Sequence, residues 1–469
     1  MRKYGSSLQL REPLYPDVGR VRDIAQLGDF RGNRRHAGEV EVRSGVTQPL
    51  MTGPLDPRVK LIRPRLHSIS DDVLSLPSSG SSDVATILVI LKSTVGGTLV
   101  VIPGGFLGAG FIPASVCLIF VGCIEIFCMV LLIRCRQLLG EDGSYGEIAR
   151  QATGRIGCIA VETSLLLSQL GFTCAEMLYV AKNTHGVIGS VQSDILDNPL
   201  LSVTGLLLLQ LVITVPMTWF RKLKYFQVSN FIANATILLA LSIILGVAAN
   251  GLAEHGAGEG VQMVGSKWLM FAGTAVFSFE CINFVIPMYD AHEKKESFVP
   301  ILCYTLGGVV MLFVCFGSLC YVRYGRYTEP VVTLNLPSGS PMGKIVPLAF
   351  AFASLLNVPL FLFPATALIE EKLFNLGPPD LRRTWAKNGV RTLLTLVCAG
   401  VAILCADSIE AMVAIIGSLC CVPLAFIYPV FFYIRLFNPC FLSSALFTMI
   451  GALGVALFIL TTMSAMQEF

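Results

Sequence analysis

The stretch "LKSTVGGTLVVIPGGFLGAG" at residues 91–110 combines an apolar run with residues that interrupt helices. It carries Lys92 near its start, the adjacent pair Gly96 and Gly97, and then Pro103. In a bilayer every backbone N–H and C=O must find a partner, so a break is tolerated only where freed groups line a cavity or meet a ligand. The stretch therefore predicts an interrupted membrane span, and close helix packing through small residues is the other interpretation.

The composition of the whole chain is that of a polytopic membrane protein. Of 469 residues, 54% are hydrophobic and 14% are charged, and the mean hydropathy is +0.71. Residues 1–84 are polar and lack a helical or strand period, so they are predicted to be a disordered cytosolic tail that could bind regulatory proteins. Residues 85–469 are predicted to form the transmembrane domain, because apolar runs long enough to cross about 30 Å of hydrocarbon follow one another.

About eleven apolar runs are separated by charged or Gly/Pro-rich breaks, and they predict about eleven transmembrane helices. Their approximate ranges are 85–111, 113–134, 157–181, 200–220, 226–249, 268–288, 299–322, 345–369, 392–406, 410–434 and 440–464. The ninth run is short for a full span, so this helix is expected to extend toward Asn388. Lys and Arg are concentrated in the loops on the side of the tail, which predicts a cytosolic N-terminus.

The sixth run, "FAGTAVFSFECINFVIPMYD" at residues 271–290, is also atypical because it contains a carboxylate. Glu280 lies near its middle, and Pro287 follows. An ionisable residue inside a span is expensive unless it is neutral, paired or hydrated, and it marks a functional site by default. In inverted-repeat transporters the first and sixth spans are equivalent members of two five-span halves, and their broken helices frame the substrate. Two atypical spans, five apart, favour that architecture.

Several motifs resemble those of the amino acid/auxin permease family, nearest its proton-coupled and vacuolar amino acid transporter branch. The first span resembles the family pattern LKxxxGxGxLxLPxAFxxAG, with Lys92, Gly96, Pro103 and Phe106 in register. Three further segments are similar to family motifs: "SYGEIARQATG" (144–154), "SQLGFTCAEMLYVAKN" (168–183) and "FAGTAVFSFECINFVIP" (271–287). The resemblance covers residues 85–466. The sequence departs from the family at Thr98 and Cys281, which replace glycines, and at Glu176, which replaces a tyrosine.

The resemblance implies an all-α, LeuT-like bundle of two inverted five-span repeats plus one extra helix, with spans 1 and 6 broken. It implies that the substrate lies between spans 1, 3, 6, 8 and 10. Amides of the first break would bind the α-carboxylate, and carbonyls of the sixth span would bind the α-amine. The expected substrate-binding residues are Thr94, Gly96, Gly97, Thr98, Glu176, Phe277, Ser278 and Phe279.

Glu176 is the departure with the most direct bearing on the substrate. It lies seven residues before Asn183, about two helical turns inside the end of the third span. A cavity-facing Glu176 would favour a cationic or polar substrate side chain. The other interpretation is a protonated carboxyl group that is hydrogen-bonded between helices.

Three residues are predicted to serve ion coupling: Glu280, Lys92 and Asn357. Glu280 can change its charge, and Lys92 would either neutralise it or extend toward the membrane interface. Asn357 in the eighth span offers a carbonyl oxygen, but no Ser/Thr pair accompanies it as in sodium-coupled relatives. These features favour coupling to a proton over coupling to sodium, and no metal or organic cofactor is predicted.

The function predicted from these features is secondary active amino acid transport by alternating access. An amino acid sensor on the same fold and a sodium-coupled transporter are the alternatives. An enzyme is disfavoured, because the five histidines all lie in the tail or in loops and no hydrolase motif lies in a span. The expected partners are an amino acid and the lipid bilayer, with no nucleic acid. The expected location is the plasma membrane or a vacuolar or lysosomal type of membrane.

Overall fold

The computed structural model describes residues 82–140, 144–191, 198–220, 227–279, 281–337, 339–374 and 381–468, except for the side chains of residues 227–230. Residues 1–81 of the predicted tail and Glu280 lie outside the described residues. The described part of the chain is built from helices and their connections.

The helices follow one another in this order: α1 Asp83–Thr94, a 3₁₀ segment Gly97–Val101, α2 Ile102–Ala109, α3 Phe111–Leu139, α4 Tyr145–Val191, α5 Val203–Leu209, α6 Leu211–Thr218, α7 Gln227–His255, α8 Trp268–Ser278, α9 Ile282–Ala291, α10 Lys295–Tyr324, α11 Pro341–Leu373, α12 Leu381–Leu404, α13 Ile409–Ile416, α14 Tyr428–Phe437 and α15 Phe441–Met466. Two π-helical segments, Gly417–Cys421 and Pro423–Ile427, join α13 to α14. Short 3₁₀ segments occupy Pro199–Leu201, Gly325–Tyr327 and Val332–Asn335.

The described helices account for all of the predicted apolar runs in the same order. Nine helical segments are long and apolar enough to cross a membrane, and α1 with Gly97–Ala109 forms a further pair that is bent by 43°. The fourth run is represented by the shorter apolar segment Val203–Thr218. Gln210 within that segment donates a hydrogen bond from Nε2 to Met177 O on α4 at 3.0 Å. The short fourth segment is thereby attached to the third.

Three helix boundaries differ from the predicted ones. α1 begins at Asp83, inside the predicted tail, because Ser82 caps it by accepting a hydrogen bond from Ala85 N at 3.4 Å. α4 is much longer than the apolar run at 157–181, and Gly154, with φ +74°, kinks it near its beginning. α12 begins before Asn388, at Leu381. Its first turns are basic, so a search for apolar runs does not detect them.

Arg391 explains how the basic start of α12 is accommodated. Its side chain is almost fully buried, and its Nε donates to Glu370 Oε1 on α11 at 2.6 Å. Its Nη1 donates to the backbone carbonyl oxygens of Thr218 and Phe220, each at 2.9 Å, where α6 has just ended. Lys387 Nζ makes a second ion pair with Glu370 Oε2 at 3.1 Å. One guanidinium therefore joins the ends of α6 and α11 to the middle of α12.

Among the nine long helical segments of the described chain, the one formed by α8 and α9 has the largest buried share, 82% of its most apolar stretch. α8 packs against α2, α3, α13 and α15. Gly273 allows a close contact with α13, because a Cβ placed there would lie only 2.5 Å from Ala414 O. The sixth span is therefore held at the centre of the protein by direct backbone approach.

Candidate functional site

The first span is interrupted between α1 and the 3₁₀ segment Gly97–Val101. α1 ends at Thr94, the amide of Val95 still donates to Leu91 O at 2.7 Å, and Gly96 is extended with φ −140° and ψ −155°. The first amides of the resumed helix have no acceptor within that helix. The positive end of its dipole therefore points into the gap.

The hydroxyls before the gap are used to close the end of α1. Ser93 Oγ and Thr94 Oγ1 both donate to Ile90 O, at 2.9 and 3.0 Å. Because its proton is committed to this bond, the Thr94 hydroxyl is left only with acceptor capacity toward a ligand. The predicted role of Thr94 is restricted to that extent.

The sixth span is interrupted between the end of α8 at Ser278 and the start of α9 at Ile282. Phe279 N donates to Ala275 O at 3.3 Å, and Cys281 N donates to Phe279 O at 2.7 Å. The Phe279 ring is buried and stacks on Phe313 of α10, with ring centroids 4.9 Å apart. The side chain and the carbonyl of Phe279 are thus engaged within the bundle.

A cavity of about 120 Å³ is lined by residues of both interruptions together with α4, α7 and α11. The predicted site residues that line it are Lys92, Thr94, Gly96, Gly97, Thr98, Glu176, Phe277, Ser278 and Asn357. Phe279 is not among its lining residues, and Glu280 lies outside the described residues. The structure therefore brings the first-span and third-span candidates together with one side of the sixth span.

Glu176, on α4, faces the interrupted turn of the first span. It is 4% exposed, and a Cβ placed on Gly97 would lie 3.1 Å from Glu176 Oε1. Asn357 Nδ2 on α11 donates to the same oxygen at 3.4 Å. The other oxygen, Oε2, is buried and makes no hydrogen bond of ordinary geometry among the described residues, although the Ser354 hydroxyl lies nearby. The cavity therefore contains a carboxyl group with unused hydrogen-bonding capacity.

Asn357 contacts this carboxyl group through its side-chain amide nitrogen. It is 8% exposed, and its amide nitrogen is the donor in the bond to Glu176. Lys92, which was predicted to serve the same coupling function, is half-buried on the last turn of α1 and lines the cavity. Asn357 and Glu176 therefore form one polar unit across α11 and α4.

An aromatic wall closes another side of the cavity. The ring of Phe172 on α4 lies 4.6 Å from that of Phe277 on α8, and it stacks on that of Phe361 on α11 at 5.5 Å, measured between ring centroids. Rings at these separations make favourable contacts and exclude water. A ligand here would meet polar groups on one side and apolar rings on the other.

The lining residues that were not among the predicted site residues are Ser93, Gln169, Phe172, Ala175, Tyr179, Asn234, Phe284, Leu360 and Phe361. Four residues of α4 nonetheless carried a signal, since Gln169, Phe172, Glu176 and Tyr179 recur at intervals of three or four. That spacing puts them on one helix face. Two polar residues on one face of an apolar span would have been sufficient to predict the face that lines the cavity.

A second polar cluster lies at the end of the bundle where α1 begins. His292 follows α9, is 1% exposed, and its Nδ1 and Nε2 share hydrogen bonds with Thr86 Oγ1 at 2.7 Å and Ser297 Oγ at 2.9 Å. Burial lowers the pKa of His292 below its ordinary value, and nearby Asp83 opposes that shift. Arg136 pairs with Asp290 at 2.9 Å beside it. This cluster ties the first turn of α1 to the junction of α9 and α10.

Comparison with known families gives a match over almost the entire described chain. The profile of the family described as "Transmembrane amino acid transporter protein" matches residues 79–467. Vacuolar amino acid transporter 4 of Saccharomyces cerevisiae is 28% identical over 401 residues, which are 80% of this chain and 56% of that protein. Vacuolar amino acid transporter 3 of the same yeast is 31% identical over 354 residues, which are 74% of this chain and 51% of that protein. The chain thus spans about half the length of these curated relatives.

Among solved structures, the crystal structure of MhsT in complex with L-phenylalanine is similar, with a TM-score of 0.52 and 13% identity. The similarity covers 82% of this chain and 100% of that one. At this identity the comparison concerns the fold alone, and it confirms the predicted all-α, LeuT-like fold.

Proposed function

Because the chain belongs to the transmembrane amino acid transporter protein family, we propose that it carries amino acids across a membrane by alternating access. It is a multi-pass membrane protein of the vacuolar branch that the motifs indicated. The names of its yeast relatives favour the vacuolar membrane as its location. The excess of Lys and Arg in the tail-side loops supports a cytosolic N-terminus.

The observation that carries this proposal is the cavity at the first-span break. A zwitterionic amino acid needs donors for its carboxylate, acceptors for its ammonium and a wall for its side chain. The amides after Gly96 are proposed to bind the carboxylate, since a helix start with free N–H groups is a ready anion site. The carbonyls of Phe277 and Ser278 are proposed to accept from the ammonium, and Phe279 O, which already accepts from Cys281 N, contributes less. The aromatic wall would then face the side chain.

Proton coupling is the proposed energy source, with Glu280 as the coupling group. Burial should favour the neutral form of a carboxyl group in the sixth span, whereas Lys92 or a substrate ammonium should favour the anion. Those opposed influences allow protonation and substrate binding to bias two facing states differently. Asn357 contributes indirectly, through its hydrogen bond to Glu176.

The test is substrate counterflow in proteoliposomes with the purified full chain, screened across the amino acids with and without an imposed pH gradient. We expect exchange of at least one amino acid, and accumulation only when the gradient is present. Binding of an amino acid without any flux would instead indicate a sensor. Accumulation that requires sodium and ignores pH would indicate the sodium-coupled alternative.

Glu280→Gln separates coupling from transport in the same assay. The amide mimics the neutral carboxyl group, so exchange should persist while accumulation driven by the pH gradient is lost. If this variant still concentrates substrate when only pH differs across the membrane, Glu280 is not the coupling residue and Glu176 is the next candidate.

A further inference from the structure

We propose that Glu176 binds one proton together with each amino acid, by donating its carboxyl O–H to the α-carboxylate of the substrate. This inference rests on the proposed function and names the group at which the proton meets the substrate. It concerns the proton bound at the substrate site, whereas the role proposed for Glu280 concerns the equilibrium between the two facing states.

The first step of the argument is the position of Glu176. Its Oε1 would lie 3.1 Å from a Cβ on Gly97, so the carboxyl group stands beside the turn whose amides are proposed to receive the substrate carboxylate. Gly96 has nothing within 4 Å of a Cβ placed on it, so the space beside the turn is open. A substrate carboxylate at this turn would lie next to the carboxyl group of Glu176.

The second step concerns charge. Two carboxylates in one buried site cannot both be ionised without strong repulsion, and such pairs share a proton. The amides of the turn favour an anion, and the α-carboxylate is the stronger acid of the two. The proton should therefore reside on Glu176 whenever an amino acid is bound.

The third step concerns the other groups that could neutralise Glu176. Among the described lining residues, the titratable groups besides Glu176 are Lys92 of the first span and Tyr179 of α4. α11 presents the uncharged Asn357 and Ser354, and the described lining residues of α7, α8 and α9 have no titratable side chains. No cation forms an ion pair with Glu176 among the described residues. A proton is the available means of removing its charge.

The fourth step concerns hydrogen bonds. Asn357 donates to Oε1, which leaves Oε2 buried and without a protein partner of ordinary geometry. A protonated Oε2 becomes a donor, and a substrate carboxylate is a stronger acceptor for it than the neutral Ser354 hydroxyl. Proton and amino acid together then form one charge-assisted hydrogen bond.

The stoichiometry follows directly. An empty site with ionised Glu176 takes up one proton from solution with each zwitterion, and the proton leaves when the amino acid leaves. No covalent bond is made or broken. By linkage, proton and amino acid strengthen each other's binding by the same factor. Proton binding and amino acid binding are therefore coupled thermodynamically at the Glu176 carboxyl group, where the two ligands meet.

The competing hypothesis is that ionised Glu176 forms an ion pair with a cationic substrate side chain. That arrangement predicts binding without proton uptake and a preference for a positively charged amino acid over neutral ones. It places the substrate carboxylate elsewhere in the cavity, because an anionic Glu176 would repel it from the Gly97 turn.

The experiment is calorimetric titration of the purified full chain with L-leucine, L-arginine and L-glutamate, which cover the three side-chain charges. Titrations from about pH 6 to about pH 8, where the ammonium group of each probe stays protonated, in buffers of different ionisation enthalpy, report affinity and protons taken up. We expect affinity for whichever probe binds to fall by about tenfold per pH unit on the alkaline side, with uptake approaching one proton. Glu176→Gln, which keeps a donor without a charge, should bind independently of pH and take up none.

Two further variants make the assignment specific. Glu162 lies on the same helix as Glu176, pairs with Lys372 at 2.6 Å and does not line the cavity. Glu162→Gln should therefore retain the wild-type pH profile. Should Glu176→Gln fail to fold, Glu176→Asp is the second variant, because it withdraws the carboxyl group from the Gly97 turn. A weakened proton linkage in Glu176→Asp supports the assignment, and an unchanged pH profile overturns it.

The remaining outcomes are equally decisive. Binding by the wild type that is flat in pH, or that takes up no proton, overturns this inference and leaves amino acid transport standing. A persistent pH profile in folded Glu176→Gln has the same effect. Failure of all three probes to bind counts against the inference and the proposed function together.

Discussion

The two interruptions of the bundle are built in opposite ways. The first contains two glycines, and a Cβ on Gly96 would meet nothing within 4 Å. The second is surrounded by bulky side chains, with Phe279 stacked on Phe313 and Cys281 Sγ 3.8 Å from Met129 Sδ. Open space at one break and close packing at the other indicate different tasks. We propose that the first break receives the substrate carboxylate, whereas the packed side chains around the second hold its two half-helices in place.

The largest expected effect comes from filling the open break. Gly96→Leu should reduce counterflow to background while the protein still reaches the membrane, because the side chain occupies the proposed carboxylate site. Uptake per inserted protein is the measurement. Gly400→Leu is the matched control, since Gly400 also has nothing within 4 Å of an added Cβ but lies exposed on α12. Near-normal uptake by Gly96→Leu would mean that the glycines serve packing only.

The next effect concerns the packed break. Phe279→Ala should destabilise the protein by about 3–5 kcal/mol, because it empties a buried ring site against Phe313. Substrate affinity should change far less, since the ring does not line the cavity. Thermal unfolding and substrate binding are measured on the same preparation. Phe352→Ala, at a 52% exposed position on α11, is the control with little expected loss.

A reversed result for Phe279→Ala would remove the contrast between the breaks. If affinity falls strongly while thermal stability holds, the sixth interruption also faces the ligand directly. The two breaks would then be equivalent halves of one binding site.

The smallest effect distinguishes the two neighbouring glycines. Gly97→Ala should lower the stability of the ligand-free protein by about 1 kcal/mol, because its Cβ would lie 3.1 Å from Glu176 Oε1 and displace that side chain. Gly96→Ala should change stability by less than about 0.5 kcal/mol, since its extended backbone suits any residue and its surroundings are open. The test is to measure the melting temperatures of the two variants by differential scanning calorimetry. Equal melting temperatures would show that Glu176 does not press on the turn.

The order of the helices was predictable because lipid contact demands long apolar runs. The ends of the helices were harder to predict from the sequence. The starts of α4 and α12 are polar, and hydropathy reports contact with lipid rather than continuation of a helix. Arg391 illustrates the limit, since its burial depends on acceptors in α6 and α11 that no local pattern reveals.

Some residues of the candidate site were also predictable from the sequence, and others were not. The glycine pair was recognisable from the sequence, because a membrane span is interrupted only where the freed backbone groups line a cavity or meet a ligand. Phe279 was grouped with Phe277 because they are close in sequence, yet residues two apart on a helix face different sides, and only Phe277 lines the cavity. Gln169 and Tyr179 were overlooked because α4 is regular at that point, so only the rotation of the helix decides which residues meet the cavity.

The contacts of Arg391 also set an order of events during synthesis. Its guanidinium serves the carbonyls of Thr218 and Phe220, which precede it by 173 and 171 residues. At roughly 5–20 residues per second, those carbonyls emerge from the ribosome about 10–35 s before their donor does. The fourth span therefore reaches its final end contacts only after the ninth has begun to insert. A nascent chain stalled between them would present an unfinished helix end to the insertion machinery, and quality control could recognise it there.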